Sequence, residues 1–172
     1  VSKLSPDQAM YHFLSGYTAK VAGTERGITK PQETFSACFG AAFLTLHPTR
    51  YADLLKEKLN THGSNAFLVN TGWSGGGVGV GDRMSIQTTR ACITAILDGS
   101  IHDAEVFVDP VFGFDVPKKL QDVPAEVCDP RAAWEDKAAY EAQSEMLAGL
   151  FKKNFTKYVA PGKSDYTSFG PK

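Results

Sequence analysis

The sequence predicts an α/β fold, a mixed sheet with flanking helices. Three observations carry that prediction. Residues 66–69, Ala-Phe-Leu-Val, form a short apolar run of strand length. A glycine-rich stretch, Asn70 to Arg83, follows directly. Ser85 then opens a helix with Ile86, Cys92, Ile93, Ile96 and Leu97 at helical spacing, stopped by Gly99. A strand, a glycine-rich turn and a helix start make a ready place for an anion or a nucleotide. Exposed N–H groups and the helix dipole both favour negative charge there. No Gly-Lys-Ser/Thr closes the stretch, so it is not a phosphate loop of the strict type. The residues alone support a ligand loop in an α/β protein; the competing structural explanation is a solvated, permissive surface loop.

A chain of 172 residues can bury one core. Its 42% hydrophobic and 22% charged residues are ordinary for a globular domain, and a net charge of −1 offers no bulk attraction to nucleic acid or an acidic membrane. Three cysteines, Cys38, Cys92 and Cys128, lie far apart without CxxC or Cys/His spacing, which argues against both a zinc site and a disulfide framework. A reducing, cytoplasmic compartment is expected from them. No apolar run approaches the roughly 18 residues of a membrane span, and the first residues carry no signal-peptide pattern.

Ser5-Pro6-Asp7 starts the first helix, as N-cap, first helical residue and dipole partner. Met10, Phe13, Leu14, Tyr17 and Val21 continue it at helical spacing, with Gly16 inside the pattern where something packs closely. His12 reads as a hydrogen-bonded packing residue rather than a catalytic one. Residues 23–34 are polar, bounded by Gly and broken by Pro31. A loop of that length is either a lid or a solvated connection, with Thr24, Glu25 and Arg26 as the functional candidates.

Residues 35–46 are apolar nearly all round and are expected in the core, with Cys38 as a small buried hydrophobe. A helix over 49–61 carries the stripe Tyr51, Leu54, Leu55 and Leu59, closed by His62-Gly63. Residues 65–69 are expected as a buried strand. Trp73 either anchors the glycine loop or lines a pocket. Arg83, just before the next helix, and Thr89, one turn inside it, can face one edge; the bland alternative for Arg83 is a surface ion pair. Two short strands, 105–108 and 111–116, flank Asp109-Pro110, with Phe112 and Phe114 alternating. Pro117, Pro124 and Pro130 punctuate an irregular stretch, and Asp129-Pro130-Arg131 reads as a turn. A long helix from Lys137 to about Tyr158 carries Tyr140, Met146, Leu147, Leu150, Phe151 and Phe155. Residues 160–172 are expected as a loosely held tail. No linker divides the chain.

Four blocks carry a resemblance: 13–20 (Phe-Leu-Ser-Gly-Tyr-Thr-Ala-Lys), 22–27 (Ala-Gly-Thr-Glu-Arg-Gly), 34–43 (Thr-Phe-Ser-Ala-Cys-Phe-Gly-Ala-Ala-Phe) and 68–73 (Leu-Val-Asn-Thr-Gly-Trp). In this order and spacing the chain resembles the ATP-dependent phosphoenolpyruvate carboxykinase family, over essentially its whole length. The resemblance implies the C-terminal third of such an enzyme, with residues 1–172 as the C-terminal portion of the ATP-binding domain. The phosphate loop, the metal ligands and the oxaloacetate-binding arginines are then expected upstream of Val1, in the N-terminal part of the same enzyme. The implied reaction turns oxaloacetate and ATP into phosphoenolpyruvate, ADP and CO2, with Mg²⁺ and Mn²⁺ assisting through ligands outside this chain.

Residue by residue, the resemblance implies an adenine-side loop over 71–89. There Arg83 contacts the adenine end of ATP, Met84 contacts the base and Thr89 lies near the nucleotide. Residues 23–34 match the family's mobile lid, with Arg26 directed at substrate charge, and residues 160–172 form the tail. No metal ligand and no catalytic residue is expected in this segment. Residues 74–82 form a loop several residues longer than in the bacterial forms compared, while Ser85-Ile86 and Thr89-Arg90 keep the register of Arg83. The glycines then serve as a flexible lead-in to Arg83 and Met84, and the phosphates bind elsewhere. Neither nucleic acid nor membrane is an expected partner. A glycosomal location is the alternative to a cytoplasmic one, and a non-catalytic fragment or interaction module is the alternative to an enzyme segment.

Overall fold

The computed structural model describes residues 1–20 and 32–172. The elements run β1 (Ser2–Leu4), α1 (Pro6–Ser15), β2 (Tyr17–Lys20), β3 (Gln32–Phe35), 3-10 turns at Ala37–Phe39 and Ala41–Phe43, and α2 (Pro48–His62). They continue through β4 (Ala66–Leu68), β5 (Trp73–Ser74), β6 (Asp82–Arg83), α3 (Ile86–Leu97), β7 (Val106–Val108), β8 (Asp115–Pro117), α4 (Ala125–Cys128), α5 (Pro130–Ala133) and α6 (Lys137–Phe155). The chain is α/β. Among the described residues, one sheet has the order β4-β1-β8-β7, and β2–β3 and β5–β6 form separate hairpins. Strand β8 runs antiparallel to both neighbours, placing Lys3 opposite Asp115 and Phe107 opposite Val116.

The described residues gather into two compact units, each discontinuous in sequence: Val1–Leu4, Phe67–Leu147 and Lys172 in one, Ser5–Ala66 and Ala148–Pro171 in the other. Helix α6 supplies residues to both, so no linker composition marks the division. In the first unit the core is Cys92, Ala95, Ile101, Leu120, Val123 and Cys128, with Phe67, Ile96 and Val127 against it. In the second, Met10, Tyr11 and Leu14 of α1 are buried together with Phe151 and Phe155 of α6. The Tyr11 ring stacks on Phe155 at 4.1 Å, and Phe35 meets Phe151 edge-on at 5.2 Å.

Helix α1 starts as the residues dictate: the Ser5 side chain accepts from Gln8 N, and the Gln8 side chain accepts from Ser5 N. It ends earlier than its periodicity suggests. Gly16 is not inside the helix but is its left-handed cap, at φ 54°, and Tyr17 begins β2. The close packing expected at Gly16 is present, because a Cβ there would collide with the Ser36 carbonyl. Val21 lies outside the described residues. His12 is buried, edge-on to both Tyr11 and Phe151, as a packing residue.

Several apolar stretches depart from expectation. Residues 35–46 are not continuous core: left-handed backbone at Cys38 and Phe39 folds them into 3-10 turns, burying Ala37 but leaving Phe43 88% exposed, with Phe39 and Leu46 also exposed. Cys38 is half-buried, and burial pushes its thiol up to about 11. Strand β4 is an edge strand with Leu68 exposed, not a buried one. Residues 111–114 are a turn rather than a strand, because the Asp109 carboxylate accepts from the N–H groups of Val111 and Phe112 and stacks Phe112 beside Phe114.

Asp129-Pro130-Arg131 starts helix α5, with the Asp129 carboxylate capping the N–H groups of Arg131 and Ala132. Helix α6 stops at Phe155 and tightens into a 3-10 turn over Thr156–Tyr158. The tail is held rather than loose. Tyr166 is buried and donates to Asp53 Oδ1 at 2.8 Å, and the Lys172 N–H donates to the Val111 carbonyl at 2.8 Å.

Candidate functional site

The glycine-rich stretch is folded by local hydrogen bonds before it reaches Arg83. Asn70 Oδ1 accepts from Gly72 N at 2.8 Å, and Asn70 Nδ2 donates to the Trp73 carbonyl at 3.0 Å. That turn delivers Trp73 into β5. Strand β5 pairs antiparallel with β6 so that Trp73 faces Arg83 and Ser74 faces Asp82. Met84 N donates to the Gly72 carbonyl at 2.8 Å and extends the closure by one bond.

The loop between the strands needs its glycines. A Cβ on Gly81 would collide with the Ser74 carbonyl and the Gly76 backbone, and one on Gly76 would come within 2.8 Å of Gly81 N. Gly75 and Gly79 adopt φ of 78° and 89°, which only glycine takes without strain. Gly81 N donates to the Gly77 carbonyl at 2.9 Å, closing the tip. The stretch expected as a flexible lead-in is therefore a hydrogen-bonded hairpin.

Cross-strand partners share a face, so the register brings the Arg83 guanidinium over the indole of Trp73, 5.3 Å from the ring centroid. Arg83 remains exposed to solvent, and Met84 beside it is half-buried. Ser85 then caps α3. Its Oγ accepts from Thr88 N at 3.0 Å and donates to the buried Thr88 Oγ1 at 2.9 Å. Thr89, in the first turn of α3, is half-buried and its N–H is taken by the Ser85 carbonyl. Arg83, Met84 and Thr89 thus lie on one hairpin-to-helix junction.

The arrangement can present a fixed planar cation next to a half-buried thioether and a hydroxyl. It does not present a phosphate cradle: part of the first-turn donor set of α3 is occupied by Ser85, and no lysine lies in residues 70–83. The Trp73–Arg83 pairing is what the sequence did not reveal. The available signal was the recurrence of a bulky and a cationic residue at either end of a glycine run, but glycines hide strand alternation and hence register.

Thr24, Glu25 and Arg26 lie outside the described residues, as do residues 23–31 of the expected lid. Its remaining residues, 32–34, belong to β3, which pairs with β2 in the register Tyr17 to Phe35 and Thr18 to Thr34. Among the described residues, no group of three His, Cys, Asp or Glu side chains is placed to hold a metal ion, and no helix is long and apolar enough to cross a membrane.

A family model described as phosphoenolpyruvate carboxykinase matches residues 1–126, which include the glycine hairpin, Arg83, Met84 and Thr89. The phosphoenolpyruvate carboxykinase (ATP) of Sulfurimonas denitrificans is 59% identical over 173 residues, covering 100% of this chain and 33% of the relative. That of Campylobacter lari is 61% identical over 158 residues, with 92% and 30% covered. That of Geotalea uraniireducens is 56% identical over 160 residues, with 93% and 30% covered. The chain spans about a third of the length of these curated relatives. The match takes in the four sequence blocks and residues 71–89, and the chain belongs to the phosphoenolpyruvate carboxykinase family.

Proposed function

We propose that this chain is the adenine-side wall and lid of an ATP-dependent phosphoenolpyruvate carboxykinase. The longer enzyme converts oxaloacetate and ATP to phosphoenolpyruvate, ADP and CO2, a gluconeogenic reaction. The observation that carries this is the identity of 59% across the whole chain to a relative named for ATP, joined to an exposed arginine over an indole at the mouth of a glycine hairpin. In this scheme Arg83 packs on the adenine end of ATP, Met84 touches the base and Thr89 lies beside the nucleotide. Such contacts, remote from the transferred phosphoryl group, bind ground state and transition state alike. Residues 23–34 close over the site and exclude water, with Thr24, Glu25 and Arg26 as the lid residues nearest substrate.

Divalent cations in such an enzyme neutralise the charge of the transferred phosphoryl group. Mg²⁺ and Mn²⁺ are assigned, on the family resemblance, to ligands in the N-terminal part of the enzyme. That part also supplies the oxaloacetate site. Exposed Phe39, Phe43 and Leu46 support a covering by it. We assign the enzyme to the cytoplasm, with the glycosome as the alternative.

The test is turnover by the full-length protein that carries this chain. ATP- and metal-dependent formation of phosphoenolpyruvate from oxaloacetate is expected. A full-length protein that folds and binds no ATP supports the non-catalytic interaction module instead.

A further inference from the structure

Helix α5 is held at both ends and from the side. Asp129 Oδ1 caps its start by accepting from Arg131 N at 3.0 Å and Ala132 N at 3.1 Å. The Arg131 guanidinium donates twice to Glu141 Oε1 on α6, at 2.9 and 2.7 Å. At the other end Lys137 Nζ donates to three carbonyls, those of Arg131 at 2.9 Å, Ala132 at 2.8 Å and Trp134 at 2.5 Å. The Arg131 carbonyl also accepts from the Trp134 N–H at 3.4 Å, and the ammonium, with three donors to give, adds a bond to each of the three carbonyls at the end of the helix. The lysine therefore ties down the carbonyls of Ala132 and Trp134, the residues on either side of Ala133.

The Ala133 carbonyl is the one the hairpin rests on. A Cβ at Gly75 would lie 2.9 Å from Ala133 O, so the backbone of the glycine loop approaches α5 with no room for a side chain. Gly75 directly follows β5, whose Trp73 holds Arg83 by register and by ring contact. The path thus runs from the Lys137 ammonium to the carbonyls flanking Ala133, along the backbone to the Ala133 carbonyl against Gly75, and on to Trp73 and Arg83.

We propose that Lys137 is a positioning residue for the nucleotide: it fixes the end of α5 as a backstop that sets the β5–β6 hairpin, and with it the Arg83 guanidinium, at the adenine end of ATP. This rests on the assignment of Arg83 to the nucleotide. Lys137 touches no reacting atom. Its loss is expected to act on ATP binding and to leave the chemical step alone.

The experiment measures kcat and the KM for ATP and for oxaloacetate in the full-length enzyme carrying Lys137→Met, Lys137→Arg, Gly75→Ala or Arg83→Ala, together with ATP affinity by direct titration. Lys137→Met is expected to raise the ATP KM and Kd about fivefold to tenfold, with kcat and the oxaloacetate KM within about twofold. Lys137→Arg, which keeps donors for the same carbonyls, is expected to recover most of that loss. Gly75→Ala is expected to reproduce it from the other side of the contact, and serves as the test should Lys137→Met not fold. An unchanged ATP KM in folded Lys137→Met or Gly75→Ala, with Arg83→Ala raising it, overturns the positioning role and leaves the nucleotide assignment standing. An unchanged ATP KM in Arg83→Ala overturns the assignment itself, and the positioning role with it.

Discussion

The guanidinium of Arg83 lies 5.3 Å from the centroid of the Trp73 ring, and the two residues face each other across the β5–β6 register. An arginine on an indole keeps its planar face and its outer N–H groups oriented, which a free surface arginine does not. Trp73→Ala is expected to raise the ATP KM of the full-length enzyme by several-fold and to cost about 0.5–1 kcal/mol of stability. Trp73→Phe should retain part of both. An ATP KM indifferent to the ring would show that Arg83 needs no such support.

Gly16 is the second position where backbone decides the outcome. Its φ of 54° and its contact with the Ser36 carbonyl leave no place for a Cβ. Gly16→Ala is expected to destabilise the protein by more than about 2 kcal/mol, read as a shift of the denaturant midpoint. Gly63→Ala is the control: its φ is 61° but open space surrounds it, so only the backbone strain of about 1 kcal/mol is expected.

His12 predicts a pH dependence of stability. Burial lowers its imidazole pKa from the ordinary 6.5 to about 4. The unfolded chain binds the proton more readily, so ν_U exceeds ν_N between these values and stability rises with pH. The contribution is present in full above about pH 6.5 and falls away as pH drops toward 4, by about 3 kcal/mol in all. Unfolding measured across that window should lose this component in His12→Phe. A slope unchanged by the substitution would falsify the buried neutral histidine.

The C-terminal tail is a structural part of the unit it closes. Tyr166 is buried and donates to Asp53, whose carboxylate helps burial push the phenol up to about 12. Tyr166→Phe is expected to cost about 1–2 kcal/mol through that hydrogen bond. Equal unfolding midpoints for the variant and the parent would mean that the bond contributes nothing.

Much of the local structure was legible. Ser5-Pro6-Asp7 opened α1, Ser85 opened α3, and His62-Gly63 closed α2, because caps are chemistry between neighbours in sequence. What depended on distant partners was not legible. Tyr17 continued the helical spacing of α1 but sits in β2, since its ring belongs with Phe35 and Phe151. The run from Phe35 to Leu46 announced burial, yet apolarity does not say what covers a residue, and Phe43 is open.

The same division holds at the site. The resemblance points to Arg83, Met84 and Thr89, and composition alone marks the glycine stretch. The tie between Trp73 and Arg83 needed the register across a glycine loop, which no side-chain alternation records. The division into two units was hidden for a related reason: both are built from separated segments, and α6 runs through the division without a break.

In the proposed scheme Arg83 binds the non-reacting end of ATP. The most direct measurement is the steady-state kinetics of Arg83→Ala in the full-length enzyme. A raised ATP KM with kcat little changed is the predicted result, as for lost uniform binding. A fall in kcat matched by an equal fall in kcat/KM, with the ATP KM unchanged, would contradict it.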